Sequence, residues 1–285
     1  MRCDQSCSHC GSRAAKPRPD ELSTDELLEV AAGLADIGSR SVTLIGGEAY
    51  LHPGMYAVIE YLTERGVRVG LQTGGRSLND RLARRLADAG INSVGVSVDG
   101  PREVHDLVRN NDGSFDYAMR ALDALAQAEI PSRVNTQINE LSADRLEELL
   151  SELLPREVEV WRCHLTAPMG RAADRPEWIL RPWRVVEVID KLGEIQMRLA
   201  EEASQNQTSL RDVLDIKLGS NLGYYGPHEP ILRSFIGGQA TYYSGCNAGR
   251  HTLGIESDGT IKGCPSLPTE PYWAGNVRDV DLRNV

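Results

Sequence analysis

Residues 23–48 read STDELLEVAAGLADIGSRSVTLIGGE, and the change of period inside this stretch decides the fold class. Leu27, Val30, Ala31 and Leu34 recur at the spacing of one helix face. Ser23 and Glu26 stand three apart, the spacing of a capping box, where each side chain satisfies the other's backbone N–H. From Ser41 the pattern becomes a short apolar run closed by Gly46 and Gly47. A helix has handed over to a buried strand.

The same unit recurs outward along the chain. MYAVIEYLTERG (55–66) precedes VRVGLQTGG (67–75), and LNDRLARRLADAG (78–90) precedes INSVGVSVDG (91–100). FDYAMRALDALAQA (115–128) precedes SRVNTQIN (132–139), and ADRLEELLSELL (143–154) precedes VEVWRCHL (158–165). This alternation predicts an α/β fold of right-handed βαβ units with a parallel sheet of five strands before residue 170. Residues 182–203 read as one long helix, and 204–245 as irregular chain. HTLGIESDGTIKGC (251–264) reads as a hairpin turning at Asp258–Gly259.

Polar residues collect at the C-terminal ends of the strands: Gly46–Gly47–Glu48, Gln72–Thr73–Gly74, Ser97 with Asp99, Asn135 with Gln137, and Arg162 with His164. In parallel α/β folds that edge is the ligand-binding edge. The balance of 41 acids against 31 bases lacks the basic excess of a nucleic-acid binder. No run is long and apolar enough to span a membrane, and no secretory signal opens the chain. Six cysteines in 285 residues are too few for a disulfide scaffold. A cytoplasmic protein without nucleic-acid or membrane partners is expected.

Three of those cysteines, Cys3, Cys7 and Cys10, fall within MRCDQSCSHCGSR at the start. They could share a helix face, though the residues between them are polar. They could bind zinc, with His9 or a distant cysteine as fourth ligand. Or they could hold three irons of an iron–sulfur cube and leave the fourth open.

CxxxCxxC with His9 before its last cysteine, GGE at 46–48, SVDGPREVHDLVR (97–109) followed by GSFDYA (113–118), and APMGRAAD (167–174) occur here in one order. In that order the chain resembles radical SAM enzymes, and in particular their peptide-modifying branch. The resemblance implies a partial (β/α)6 TIM-like barrel over residues 1–204. Cys3, Cys7 and Cys10 would bind a [4Fe–4S] cluster, whose open iron S-adenosylmethionine would chelate. One-electron cleavage would give methionine and a 5′-deoxyadenosyl radical that takes a hydrogen from the substrate. Glu48 would accept from the cofactor's ammonium group, and Gly46 and Gly47 would allow close backbone approach. Ser97 and Asp99 would lie near the ribose hydroxyls. Gln72, Asn135 and Gln137 are further cofactor-side candidates, and Arg109 is a candidate for the cofactor carboxylate. No residue is assigned a catalytic role. His105, His164 and Arg171 carry no assignment, and Cys163 reads as core.

Cys246 and Cys264 form C-x12-G-x4-C around Gly259. This resembles the opening of a SPASM or twitch extension, which implies an auxiliary iron–sulfur cluster; the alternative is two buried small hydrophobes. Residues 205–240 are then expected to be a linker and 241–285 a truncated extension containing the hairpin. Only Met1 and Arg2 precede the cysteine loop, where the family has its first strand, so that strand is expected to be missing. No cysteine follows Cys264, and two thiolates do not complete a four-ligand site. The expectation is a fragment of a longer enzyme. Its substrate would be a ribosomally made peptide, with a protein electron donor as partner. The alternatives are a radical SAM enzyme acting on a small molecule or in cofactor biosynthesis, and a non-catalytic zinc-binding α/β module.

Overall fold

The computed structural model describes residues 2–207, 213–223, 225–236, 238–265, 267, 269–270 and 272–284. Its main body is one parallel sheet of six strands in sequential order: β1 (Ser41–Leu44), β2 (Arg68–Thr73), β3 (Ser93–Ser97), β4 (Ser132–Ile138), β5 (Val158–Leu165) and β6 (Asp215–Leu218). Helix α1 (Thr24–Asp36) precedes β1; between the strands run α2 (Met55–Thr63), α3 (Asp80–Asp88), α4 (Arg102–Arg109), α5 (Ser114–Gln127), α6 (Leu146–Leu153) and α7 (Pro182–Gln205), and α8 (Glu229–Arg233) follows β6. The chain adopts the α/β architecture of a partial TIM-like barrel, with a small antiparallel sheet at its C-terminal end.

The two faces of the sheet differ, as a two-residue strand period requires. On β4, Ser132, Val134, Thr136 and Ile138 are buried, while Arg133, Asn135 and Gln137 between them are half-buried. The buried rows, such as Val69, Leu71, Val94, Val96 and Val134, share one core with helical Ile59, Leu62, Leu86, Leu125 and Leu149. Each such side chain, fully withdrawn from water, contributes roughly 1.5–3 kcal/mol. The opposite, concave face is polar and partly open. Parallel register sets Ser97, Asn135, Arg162 and Lys217 on one rung of it.

Helix α1 starts as its sequence specifies. The Glu26 N–H donates to Ser23 Oγ at 3.2 Å, and the Ser23 N–H donates to Glu26 Oε2 at 2.8 Å. The sixth strand corrects the sequence reading. Asp215–Leu218 lies inside the segment 205–240 expected to be a linker, and it pairs in parallel with β5. Buried Gln196 on α7 accepts the Ile216 N–H and fixes that edge.

In the small sheet, β7 (Gly254–Ile255) and β8 (Thr260–Lys262) form the expected hairpin, and β9 (Trp273–Asn276) adds a third strand. Gly259 at the turn has φ +86°, a conformation glycine adopts without penalty.

Candidate active site

The cysteine loop lies across the C-terminal ends of the strands and is held from three sides. At β1, the Glu48 N–H donates to the Arg2 carbonyl at 2.9 Å. A Cβ on Gly47 would lie 2.1 Å from that same oxygen, so the approach requires glycine here. At α4, the Val108 carbonyl accepts from the Ser8 N–H at 2.9 Å and stands 3.0 Å from His9 Nδ1. After β5, Arg171 donates from Nε to the Cys7 carbonyl at 2.6 Å and from Nη2 to the Ala14 carbonyl at 3.1 Å. Gly170 beside it has φ +55°, and a Cβ there would lie 2.3 Å from the Gly11 carbonyl. The APMGRAAD segment is therefore a strap over the cysteines, a role the sequence reading left unassigned for Arg171.

All three thiols are free. Burial, with Glu48, Cys7 and Asp4 nearby, raises Cys3 to about 12 against the bond from the Gln5 N–H. Burial also raises Cys7, against the Arg109 guanidinium. Cys10 goes the other way: burial opposes the thiolate, but the Ser12 hydroxyl and the N–H groups of Ala14 and Ser12 bring it below its usual value. Cys7 thus responds to the charge of Cys10, and Cys3 to that of Cys7.

Yet the three sulfurs do not lie within 4.8 Å of one another. A single tetrahedral zinc with 2.3 Å bonds would draw them to about 3.8 Å apart. His9 is not free to complete such a site either, because its nitrogens face the Val108 carbonyl and the Asp99 carboxylate. A cube that takes each thiolate on a separate iron fits the spacing better.

Glu48 stands beside this loop. Its carboxylate, the Asp4 carboxylate and Cys3 Sγ offer atoms within 4.8 Å of one another. The Thr73 hydroxyl donates to Glu48 Oε2 at 2.6 Å and the Gly74 N–H to Oε1 at 2.7 Å, so β2 sets its direction. Burial pushes the Glu48 carboxyl up to about 7 despite those two bonds. Asp4 accepts from Tyr50 and Ser77 through Oδ2, while its Oδ1 has no partner. A cation delivered here would meet two carboxylates, and burial makes the charge on Glu48 costly.

Asp99 and Arg109 are bonded to each other behind the cysteine loop. Asp99 is fully buried. Its Oδ2 accepts from Arg109 Nε at 2.8 Å and lies 3.3 Å from His9 Nε2, and its Oδ1 accepts from the Gln137 N–H at 2.9 Å. Burial alone would raise this carboxyl; Arg109 and then His9 overcome that and hold it well below the usual range. Both carboxylate oxygens are therefore taken by the protein. Arg109, itself buried, turns from Asp99 to Cys7 Sγ at 3.7 Å. This hub ties the cysteine loop to α4 and β4. His105 belongs to it, accepting the Asp99 N–H on Nδ1 at 3.0 Å.

On the concave face, Asn135 donates to Gln72 Oε1, and the pair closes over Gly95. Ser97 and Gln137 lie half-buried on the same face. Cys163 is fully buried in the core, as expected. Cys246 is exposed and Cys264 half-buried. The segments that carry them meet where the Gly249 N–H donates to the Gly263 carbonyl at 3.1 Å.

The Radical SAM superfamily signature matches residues 1–153, just over half of the chain. The chain belongs to the radical SAM superfamily. It is an enzyme of that superfamily, whose members are built around an iron–sulfur cluster and S-adenosylmethionine. It is 27% identical over 190 residues to an AdoMet-dependent heme synthase of Oleidesulfovibrio alaskensis, covering 66% of this chain and 49% of the relative. It is 31% identical over 172 residues to the sporulation killing factor maturation protein SkfB of Bacillus subtilis, covering 60% and 42% respectively. The radical SAM chain thus spans about half the length of the curated relatives it matches. Its fold superposes on Streptococcus suis SuiB bound to S-adenosylmethionine with a TM-score of 0.76 at 16% identity, covering all of this chain and 63% of that one. No helix among the described residues is long and apolar enough to cross a membrane.

Proposed function

We infer that this chain forms the catalytic part of a radical SAM enzyme that modifies a ribosomally made peptide. The observation that carries the reading is the cysteine loop: three free thiols on one loop strapped down by Arg171, with Glu48 alongside. Cys3, Cys7 and Cys10 would hold a [4Fe–4S] cluster. When bound, the cluster and S-adenosylmethionine supply a 5′-deoxyadenosyl radical that removes a substrate hydrogen. Glu48, oriented by Thr73 and Gly74, would receive the cofactor's ammonium, and Gly46 and Gly47 would let backbone close on it. Ser97, Gln72, Asn135 and Gln137 present polar groups to the cofactor from the concave face. Asp99 and Arg109 act behind the loop as positioning residues. Cys246 and Cys264 would contribute two ligands to an auxiliary cluster. The peptide reading draws on the likeness to SkfB. The heme synthase match favours a second reading, a tetrapyrrole or other small-molecule substrate. A reducing cytoplasm and a protein electron donor complete the setting.

Anaerobic reconstitution with iron and sulfide tests the reading. The chain is expected to turn brown and to release 5′-deoxyadenosine from S-adenosylmethionine on reduction. Cys7→Ala is expected to lose both signals. A colourless protein carrying stoichiometric zinc, or a Cys7→Ala variant that still cleaves the cofactor, would sink it.

A further inference from the structure

The concave face carries two arginines without a carboxylate. Arg133 on β4 pairs in register with Gly95 and Val160, and Arg162 on β5 pairs with Asn135 and Lys217. The pleat puts both on the half-buried face, one rung apart on adjacent strands. Among the described residues, neither guanidinium has an acidic partner, and Arg133 Nε is buried with no hydrogen bond at all. Elsewhere this acidic chain satisfies its buried and half-buried cations, with backbone carbonyls at Arg171 and with carboxylates at four others. Arg109 has Asp99, Lys217 has Asp215, Lys262 has Glu256, and Arg233 has Glu229. Burial, and then the neighbouring Arg133, pull Arg162 below the ordinary arginine value. Two like charges left together in a half-buried place are unfavourable unless an anion joins them. Paired guanidinium forks match a carboxylate in charge and geometry.

We propose that Arg133 and Arg162 form a receptor for a carboxylate of the substrate, placed on the same concave face as Ser97 and Asn135. The inference rests on the peptide reading above and sharpens it: the modified peptide carries an acidic side chain or a free C-terminus that docks here. An anchor at this depth fixes the substrate's reach toward the strand ends, where Glu48 and the cysteines stand. Such fixed placement is what a short-lived radical needs.

Arginine labelling with phenylglyoxal, mapped by mass spectrometry on the cluster-loaded chain with S-adenosylmethionine bound, tests this. Three probes of one shape separate the sources: acetyl-glutamate amide with only a side-chain carboxylate, acetyl-glutamine with only a terminal carboxylate, and neutral acetyl-glutamine amide. At least one carboxylate probe is expected to slow labelling of Arg133 and Arg162, and the neutral probe to leave it unchanged. Exposed Arg84 should react alike throughout. Arg162→Gln should weaken that probe's protection of Arg133 by about tenfold, and Arg162→Lys by less. Equal protection by the neutral probe, no protection by any probe, or full protection by S-adenosylmethionine alone would overturn the receptor. Cofactor cleavage by the unaltered chain is measured in parallel. Failure of the radical reading would show there as missing nucleoside, whereas failure of the receptor shows as unprotected arginines.

Discussion

At the scale of single residues, Asp99 is the buried counter-charge that joins Arg109 to the cysteine loop. Its position within SVDG is plain in the sequence; its partners are not, because His9, Arg109 and Gln137 reach it from 90, 10 and 38 residues away. Glu48 shows the converse. Its place after two glycines marks it as a candidate, and the structure adds the Thr73 and Gly74 donors that aim it and the Asp4 carboxylate and Cys3 sulfur beside it. Asp99→Asn would leave the buried Arg109 guanidinium without its counter-charge, at a cost of about 3–5 kcal/mol. Urea denaturation at neutral pH is the measurement. The pH dependence follows from the depressed carboxyl. Asp99 contributes its stability above the unfolded value of about 3.9 and loses it as pH falls from there toward the lower folded value. Asp99→Asn should therefore flatten the acid limb of the stability profile. An unchanged limb would mean that Arg109 finds another partner, and that the hub is not a unit.

At the scale of elements, the five strands from β1 to β5 and the helices between them except α4 were legible because each carries one clean period. Strand β6 was not. Its four residues, DIKL, hold two apolar positions and two charges, too few for a period to register. What makes it a strand lies elsewhere, in the β5 edge and in Gln196, twenty residues upstream on α7. β9 escaped for the same reason, since WAGN is set by pairing with β8 and not by its own pattern. Gln196→Leu keeps the volume and helix propensity but removes the acceptor of the buried Ile216 N–H. A buried donor left unmet costs about 1–3 kcal/mol. Hydrogen exchange should show amides 215–218 opening faster while those of β2–β4 keep their protection. Equal exchange in the variant would mean that β5 alone holds the edge. Loss of β6 would also remove Lys217 from the rung that bears Arg162, so the same experiment reports on the concave face.

At the scale of the whole molecule, the small C-terminal sheet is held to the barrel mainly by charge. Arg18 Nη1 donates to Glu256 Oε2 at 2.7 Å and Asp258 Oδ2 at 2.6 Å. Arg278 Nε donates to Glu26 Oε1 at 2.6 Å and its Nη1 to the Asp20 carbonyl at 3.3 Å. Leu282 against Gly33 adds an apolar contact, and the Leu22 N–H donates to the Ser257 carbonyl at 2.7 Å. Glu26 is also half of the α1 capping box, so one carboxylate both starts the first helix and receives the far end of the chain. The Arg278 guanidinium, and then the Ser23 N–H, bring its carboxyl down to about 2. A depressed carboxyl holds its partner above its ordinary value of 4.5 and releases it as pH falls through about 2. Exposed pairs are also screened by salt, with a Debye length of about 8 Å at physiological ionic strength. Combining Arg18→Gln with Arg278→Gln should therefore raise exchange across residues 254–276 and leave β1–β5 protected. High salt should do the same to the unaltered chain, and add little to the double variant. If the two sheets instead loosen together, the apolar contact and the backbone bond dominate, and the small sheet is part of the barrel's own cooperative unit rather than a body clipped to it.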